Sequence, residues 1–507
     1  MKSITSLFLR SISCISILSF GIQANGQEFK AALLKDIYEV SGAESFASGY
    51  CEGNGYVVFN ATDGFSGDEL WITKGTREST KLLKDINPGT GGSAPSGFYK
   101  TGDVIYFSCY HPDYGKELWR TDGTAAGTYL VKDIYPGISN GYINSSFQNS
   151  SSVNGKTYFI GFDATGQGLW VTDGTALGTS RLIAESVFNK KIWQLYQFKE
   201  NIYFTAQDNF DNAAGLYQYN VTDKVTKVIK DSGVQILGTM LSNSNFLFFE
   251  GQSFSSFQYV YVTDGSPNNS AVVFDSNHGR LQIANSETIF FTSQSGLWKT
   301  NGTLNGTVMI KDGFGEFSTS SFAKKKNEIV FIASTPSFGM ELWKSDGSNS
   351  GTVLVKDIFP GSTGNAYGPV ASIDSLVFFG ADDGSNSGQY VVWMSDGTES
   401  RTIEVKTYLT TGDKERYRNP NDLKATSLGI FFSPAKYYTN SYGHEPYIIG
   451  LPKYIDNDVD GYGSEPVFVI NALGNFSGKG ADCETQIRTS FRGRQESQMA
   501  KTMIVTG

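Results

Sequence analysis

"ELWRTDGTAAGTYLVKDIYPG" spans residues 117–137, and nearly the same phrase stands at 69–89 as "ELWITKGTRESTKLLKDINPG" and at 341–361 as "ELWKSDGSNSGTVLVKDIFPG". A catalytic loop needs to occur only once in a chain, whereas a structural joint recurs with the unit it joins. Working outward, the aromatic residue of the phrase returns as Trp71, Trp119, Trp170, Tyr217, Tyr261, Trp298, Trp343, Trp393 and Tyr447, at intervals of 37 to 54 residues. A period near 40 to 50 residues belongs to propeller-type arrays. An apolar pair keeps the same time, as Val58-Phe59, Tyr106-Phe107, Tyr158-Phe159 and so on to Phe431-Phe432. Nine anchors and nine pairs predict an all-β propeller of eight or nine four-stranded blades over about residues 27–451.

Within a unit the pattern alternates with period 2 rather than 3.6. The segments "YLVKDI", "INSSFQNSSSV", "KTYFIGFD" and "GLWVTD" read as four short strands of a meander, separated by Gly, Asn and Asp turns. Helix content is expected to be close to nil. In this phasing "DGTAAGT" connects the last strand of one blade to the first of the next. Its Asp can close an Asx-turn on its own backbone, and its Gly accepts a positive φ.

Composition agrees. The 507 residues include 57 Gly, 27 Tyr and 36 Phe, as expected of many short aromatic strands joined by tight turns. A formal charge of −9 argues against a nucleic-acid surface, which needs clustered Lys and Arg. Neutral glycans, extracellular proteins and divalent cations are the expected partners. Residues 1–26 read as a secretory signal, with Lys2 and Arg10 around a mainly apolar stretch and small residues Ala24 and Gly26 before a cut. No later stretch approaches the ~20 apolar residues of a membrane helix, so the mature product is expected to be secreted or held at the cell surface. It would keep Cys51, Cys109 and Cys483, too few and too dispersed for a disulfide framework.

Catalytic chemistry is sparse. His111, His278 and His444 are the only histidines and fall in different units without metal-ligand spacing. The Glu of "ELW" and the Asp of "KDI" recur blade by blade, whereas one active site needs unique residues, so these charges are expected to be structural. "PGTGGS" at 88–93 lacks the Lys and helix that would make it a phosphate loop, and reads as a turn.

The units resemble the ELWxxDGT repeat family of secreted bacterial proteins, through Glu69-Leu70-Trp71, Glu117-Leu118-Trp119 with Asp122-Gly123-Thr124, and Glu341-Leu342-Trp343 with Asp346-Gly347. The likeness covers about residues 31–450, and the units at "GLYQYNVT" and "YVYVTDGS" depart from it. It implies repeat architecture and no particular chemistry. The spacing of Ala61, Asp63, Gly67 and Trp71 is similar to the tryptophan-docking motif of eight-bladed quinoprotein propellers, which implies that the Trp packs between blades.

From residue 454, "YIDNDVDGYGSEPVFV" followed by "GADCET" resembles a short metal-binding motif of secreted bacterial proteins, a DxDGDGYG loop with a DCDD element. Asp456, Asp458 and Asp460 alternate in a tight acidic loop, and Asp482 and Glu484 stand where they could complete a hard-oxygen sphere suited to Ca²⁺. A solvated acidic linker is the alternative. Residues 452–490 are therefore read as a calcium-binding segment. Residues 491–507 leave the motif, and back-translation permits its acidic continuation in another frame, so that tail reads as out of frame. The expected function is non-catalytic recognition of a glycan or protein by propeller loops. The competing reading is a propeller enzyme, either a quinoprotein-like dehydrogenase or a glycan-active hydrolase.

Overall fold

A computed structural model describes residues 29–450, apart from 41–42, 143–149, 186–189, 208–213, 231–234, 253–257, 276–279, 294–295, 319–320, 363, 385–389, 409–417 and 436–444. Nine sheets follow one another along the chain, eight of them four-stranded antiparallel meanders and the ninth five-stranded with one parallel pair. The molecule is a nine-bladed β-propeller. The first strands of neighbouring blades pack against each other, so they are the innermost, around the axis.

The second blade shows the pattern: Ser96–Thr101, Val104–His111, Gly115–Thr121 and Tyr129–Lys132. Trp119 lies on the third strand, opposite Phe107 on the second and Leu130 on the fourth. The "DGTAAGT" turn therefore joins the third and fourth strands of one blade, not one blade to the next as the sequence phasing predicts. "YLVK" closes the blade that "ELW" belongs to, and the link to the following blade is the "DIYPG" segment. A repeat fixes the period, but not where one sheet ends and the next begins. That boundary depends on which neighbouring strands pair.

Strands alternate their side chains between two faces, and each face meets a different neighbour. In the first blade Phe59 and Trp71 pack with Phe431 and Ile448 of the ninth, while Val58, Leu70 and Ile72 pack with Phe107 and Trp119 of the second. Trp170 likewise packs on Tyr106 and Leu118, and Trp393 on Val330 and Ile332. The repeated Trp is interblade packing, as its docking-type spacing implies.

The ring closes on its own start. Lys30–Leu33 pairs antiparallel with Tyr447–Gly450 and parallel with Lys406–Tyr408, so the first strand of the chain sits inside the ninth sheet. Closure removes the sheet edges that an open array would expose.

Candidate functional site

Each word of the repeated phrase has a structural occupation. The Glu of "ELW" is buried and binds the backbone of the link that leaves its blade. Glu117 accepts the N–H groups of Ile134 (3.1 Å), Tyr135 (3.1 Å) and Gly141 (2.9 Å). Glu69 takes those of Ile86 and Asn87 and the Ser93 hydroxyl at 2.6 Å. Glu341 holds Ile358 and Phe359. Glu445 holds Ile37 and Ser45, across the closure of the ring. Burial pushes Glu117 up to about 8. The three N–H donors oppose that rise, and the neighbouring Asp133 carboxylate adds to it. Glu341 and Glu445 reach about 7 for the same first reason, burial, as does Glu250, which receives Leu281 N–H.

The Lys of "KDI" reaches forward. Lys84 donates to the Thr128 carbonyl at 2.6 Å, Lys132 to Thr179 at 2.8 Å, Lys311 to Thr352 and Lys356 to Thr402. In each case the acceptor lies in the turn of the next blade. Lys35 does the same to Thr80 across the closure. Asp122 closes its turn by accepting Thr124 N–H at 2.9 Å and the Thr124 hydroxyl at 2.7 Å, with Gly123 at φ 86°. Those bonds hold the Asp122 carboxyl below its ordinary value, with the hydroxyl the leading cause. The phrase is thus joinery: one carboxyl clamps the link, one ammonium latches the next blade, and one carboxylate folds the turn.

The other sequence candidates divide between described and undescribed residues. His111 stacks on Trp119 and Tyr114, with Nδ1 accepting Asp113 N–H. His278 and His444, together with Asp456, Asp458, Asp460, Asp482, Glu484 and Cys483, lie outside the described residues. Cys51 and Cys109 are free thiols buried in the same interblade core. Among the described residues no group of three His, Cys, Asp or Glu side chains could hold a metal ion. Nor is any described helix long and apolar enough to cross a membrane.

The surface carries a feature that the phrase does not explain. In a ring of antiparallel meanders, the interblade links and the turns between second and third strands share one face. The turns between first and second, and between third and fourth, share the other. Of the six large aromatic side chains exposed among the described residues, five belong to the link face. Phe46 and Phe65 stand on a link and a second-to-third turn, and Tyr110 stands at the end of a second strand. Trp193 (55% exposed) and Tyr367 (56%) lie at the link-face ends of innermost strands. The sixth, Tyr129, is engaged by Arg120 over its ring and bonds Gly174.

Trp193 is the extra residue of a bulge, whereas Tyr367 keeps its partner Gly380 and stands just before one. The register of Lys191–Phe198 against its neighbour shifts between Ile192 and Gln194, and that of Asn365–Ile373 shifts between Tyr367 and Ala371. A bulge re-aims a side chain that the pleat would otherwise bury or pair. Gly368-Pro369 marks the second bulge in the sequence, since Pro cannot donate to a ladder. Trp193 has no such marker, and it lies outside the repeated phrase.

No family model matches the chain, and no curated protein matches it. Among solved structures, a puromycin hydrolase aligns with a TM-score of 0.37 at 10% identity, covering 68% of this chain and 59% of that one. An oligogalacturonate lyase in complex with manganese gives 0.34 at 13%, covering 59% and 86%. The computationally designed Ika8 protein gives 0.38 at 14%, covering 71% and 98%. The chain spans a little over half the length of the puromycin hydrolases it matches. At these values the alignments carry no inference about ligand or reaction.

Proposed function

We propose that this protein is an exported, non-catalytic binding scaffold of the ELWxxDGT repeat type, and that its link face recognises a glycan. The observation that carries this reading is the bias of exposed aromatic rings to one face, spread over the first, second, fourth and eighth blades, with Trp193 and Tyr367 presented nearest the axis by inner strands. An aromatic ring offers a large rigid surface with little conformational entropy to lose, and the C–H face of a sugar stacks on it. The buried carboxylates support the same reading, because they repeat with the blades and are spent on backbone donors rather than converging on one point.

The test is a glycan-array screen of mature protein, residues 27–507, beside a Trp193→Ala/Tyr367→Ala double variant. Because both side chains are more than half exposed, the variant is expected to keep its melting temperature within about 2 °C and to lose binding by about tenfold or more. Binding unchanged in the variant would defeat the link-face assignment.

The acidic segment after residue 452 is proposed to bind Ca²⁺ through Asp456, Asp458, Asp460, Asp482 and Glu484, on the strength of its alternating carboxylates. Calcium is expected to raise the melting temperature, or protect the segment from proteolysis, in the chain ending at 507 but not in one ending at Leu451. A chelator that changes neither property would remove calcium from the account.

A further inference from the structure

The opposite face has a cleft of about 360 Å³ between the sixth and seventh blades, at the turns joining their first and second strands. Its walls include Asn285, Ser286 and Glu287 on one side and Lys324, Lys326 and Asn327 on the other, over a floor that includes Phe290 and Ile329. Some equivalent turns are tied to their neighbours. Ser244 N–H and its hydroxyl donate to the Ser286 carbonyl at 2.9 and 2.7 Å, and Asn243 donates to Glu287 O, joining the fifth blade to the sixth. Asn54 bonds Asp103 between the first and second blades, and Thr101 bonds Thr157 between the second and third. Among the described residues no hydrogen bond joins the sixth-blade turn to the seventh, and the cleft lies between them.

The strand Ala323–Lys325 and the turn after it spend three consecutive lysines on this seam. Their neighbours divide as the pleat requires. Lys325 pairs with Glu328 at 3.1 Å and lies beside Gly397 of the eighth blade. Lys324 and Lys326 line the cleft instead, and neither ammonium group has a hydrogen bond or ion pair among the described residues. Glu328 of the lining is matched by Lys325, so the cleft walls set the two ammonium groups of Lys324 and Lys326 against the single carboxylate of Glu287, a local positive excess on a chain of net charge −9.

We propose that this cleft is a second binding site, for an acidic sugar of the hexuronate type. Its carboxylate would lie between Lys324 and Lys326, its hydroxyls would meet the amide and hydroxyl groups of Asn285, Ser286 and Asn327, and one ring face would rest on Phe290. The volume falls within the range of small-ligand pockets, and the polar lining suits a hydroxylated anion better than an apolar one. The site is on the opposite face from Trp193 and Tyr367 and stands independently of them.

Titration of mature protein with glucuronate at about 50 mM salt, beside glucose as the neutral control, tests it by NMR or calorimetry. Glucuronate is expected to bind and glucose to bind at least about tenfold more weakly, with the difference shrinking as salt rises to about 500 mM. Lys324→Gln/Lys326→Gln should lose the preference, while Lys325→Gln and Trp193→Ala/Tyr367→Ala should keep it. Equal binding of the two sugars, or a preference that survives the Lys324/Lys326 variant, overturns the proposal. Loss in the Trp193/Tyr367 variant would do so too, by placing the acidic-sugar site on the link face. A failed glycan array with glucuronate binding intact would instead count against the link-face reading alone.

Discussion

Glu117 shows how one residue is used. Replacing it with Ala would leave the N–H groups of Ile134, Tyr135 and Gly141 without their acceptor. A buried donor left unpaired costs about 1–3 kcal/mol. Glu117→Ala is therefore expected to lower stability by about 3 kcal/mol or more in chemical unfolding, with the link after the second blade becoming the first site of proteolysis. The same residues set a pH dependence. Glu117 titrates near 8 in the folded ring and Glu250, Glu341 and Glu445 near 7, all above the ~4.3 of an unfolded chain. A group whose pKa is raised by folding contributes stability that is fully present below its unfolded pKa and lost as pH rises through the folded one. Turn carboxylates such as Asp122 and Asp346 are lowered instead, so their contribution is lost only below about pH 4. Between pH 5 and 8.5 the melting temperature should therefore fall, and fall less steeply in Glu117→Ala. A flat or rising profile in the wild-type protein would contradict the burial of these carboxylates.

At the scale of elements, period and chemistry are legible in different degrees. Alternation and turn residues predict short strands, and the positions of Trp71, Trp119 and Trp170 predict interblade packing. Both rest on local rules that a sequence displays directly. The phase of the blade is not legible, because "DGTAAGT" has the residues of a tight turn wherever it falls, and strand pairing decides whether it lies inside a sheet or between two. The aromatic face is obscured for a related reason. Trp193 in "KIWQLYQF" sits among apolar residues that read as one alternating strand, and only the register shift after Ile192 frees it from the pleat. The lysine pair of the cleft is equally invisible in sequence, since it lines a recess only because two turns distant in the chain lie side by side.

For the whole molecule, the deciding element is the strand at its start. Lys30–Leu33 is held on both edges, by Tyr447–Gly450 and Lys406–Tyr408. Residues 34–37 tie the ends further: Leu34 N–H bonds the Pro446 carbonyl at 2.8 Å, Lys35 latches Thr80, and Ile37 is clamped by Glu445. Ala31 packs in the core between the eighth and ninth blades, while Ala32, Leu34 and Ile37 pack in the core between the ninth and first. One short segment thus serves two interblade cores and both ladders, so its loss should be felt round the ring rather than in one blade. A chain beginning at residue 38 is expected to melt well below one beginning at 27, and to self-associate through the edge of Tyr447–Gly450 that its removal exposes. A synthetic peptide of residues 27–37 should restore the melting temperature and the monomer by adding the missing strand in trans, as in β-augmentation. Size-exclusion chromatography and calorimetry with and without the peptide read both effects. A shortened chain that stays monomeric with an unchanged melting temperature would mean that the ring is held by its interblade cores alone, and that the closing strand is dispensable.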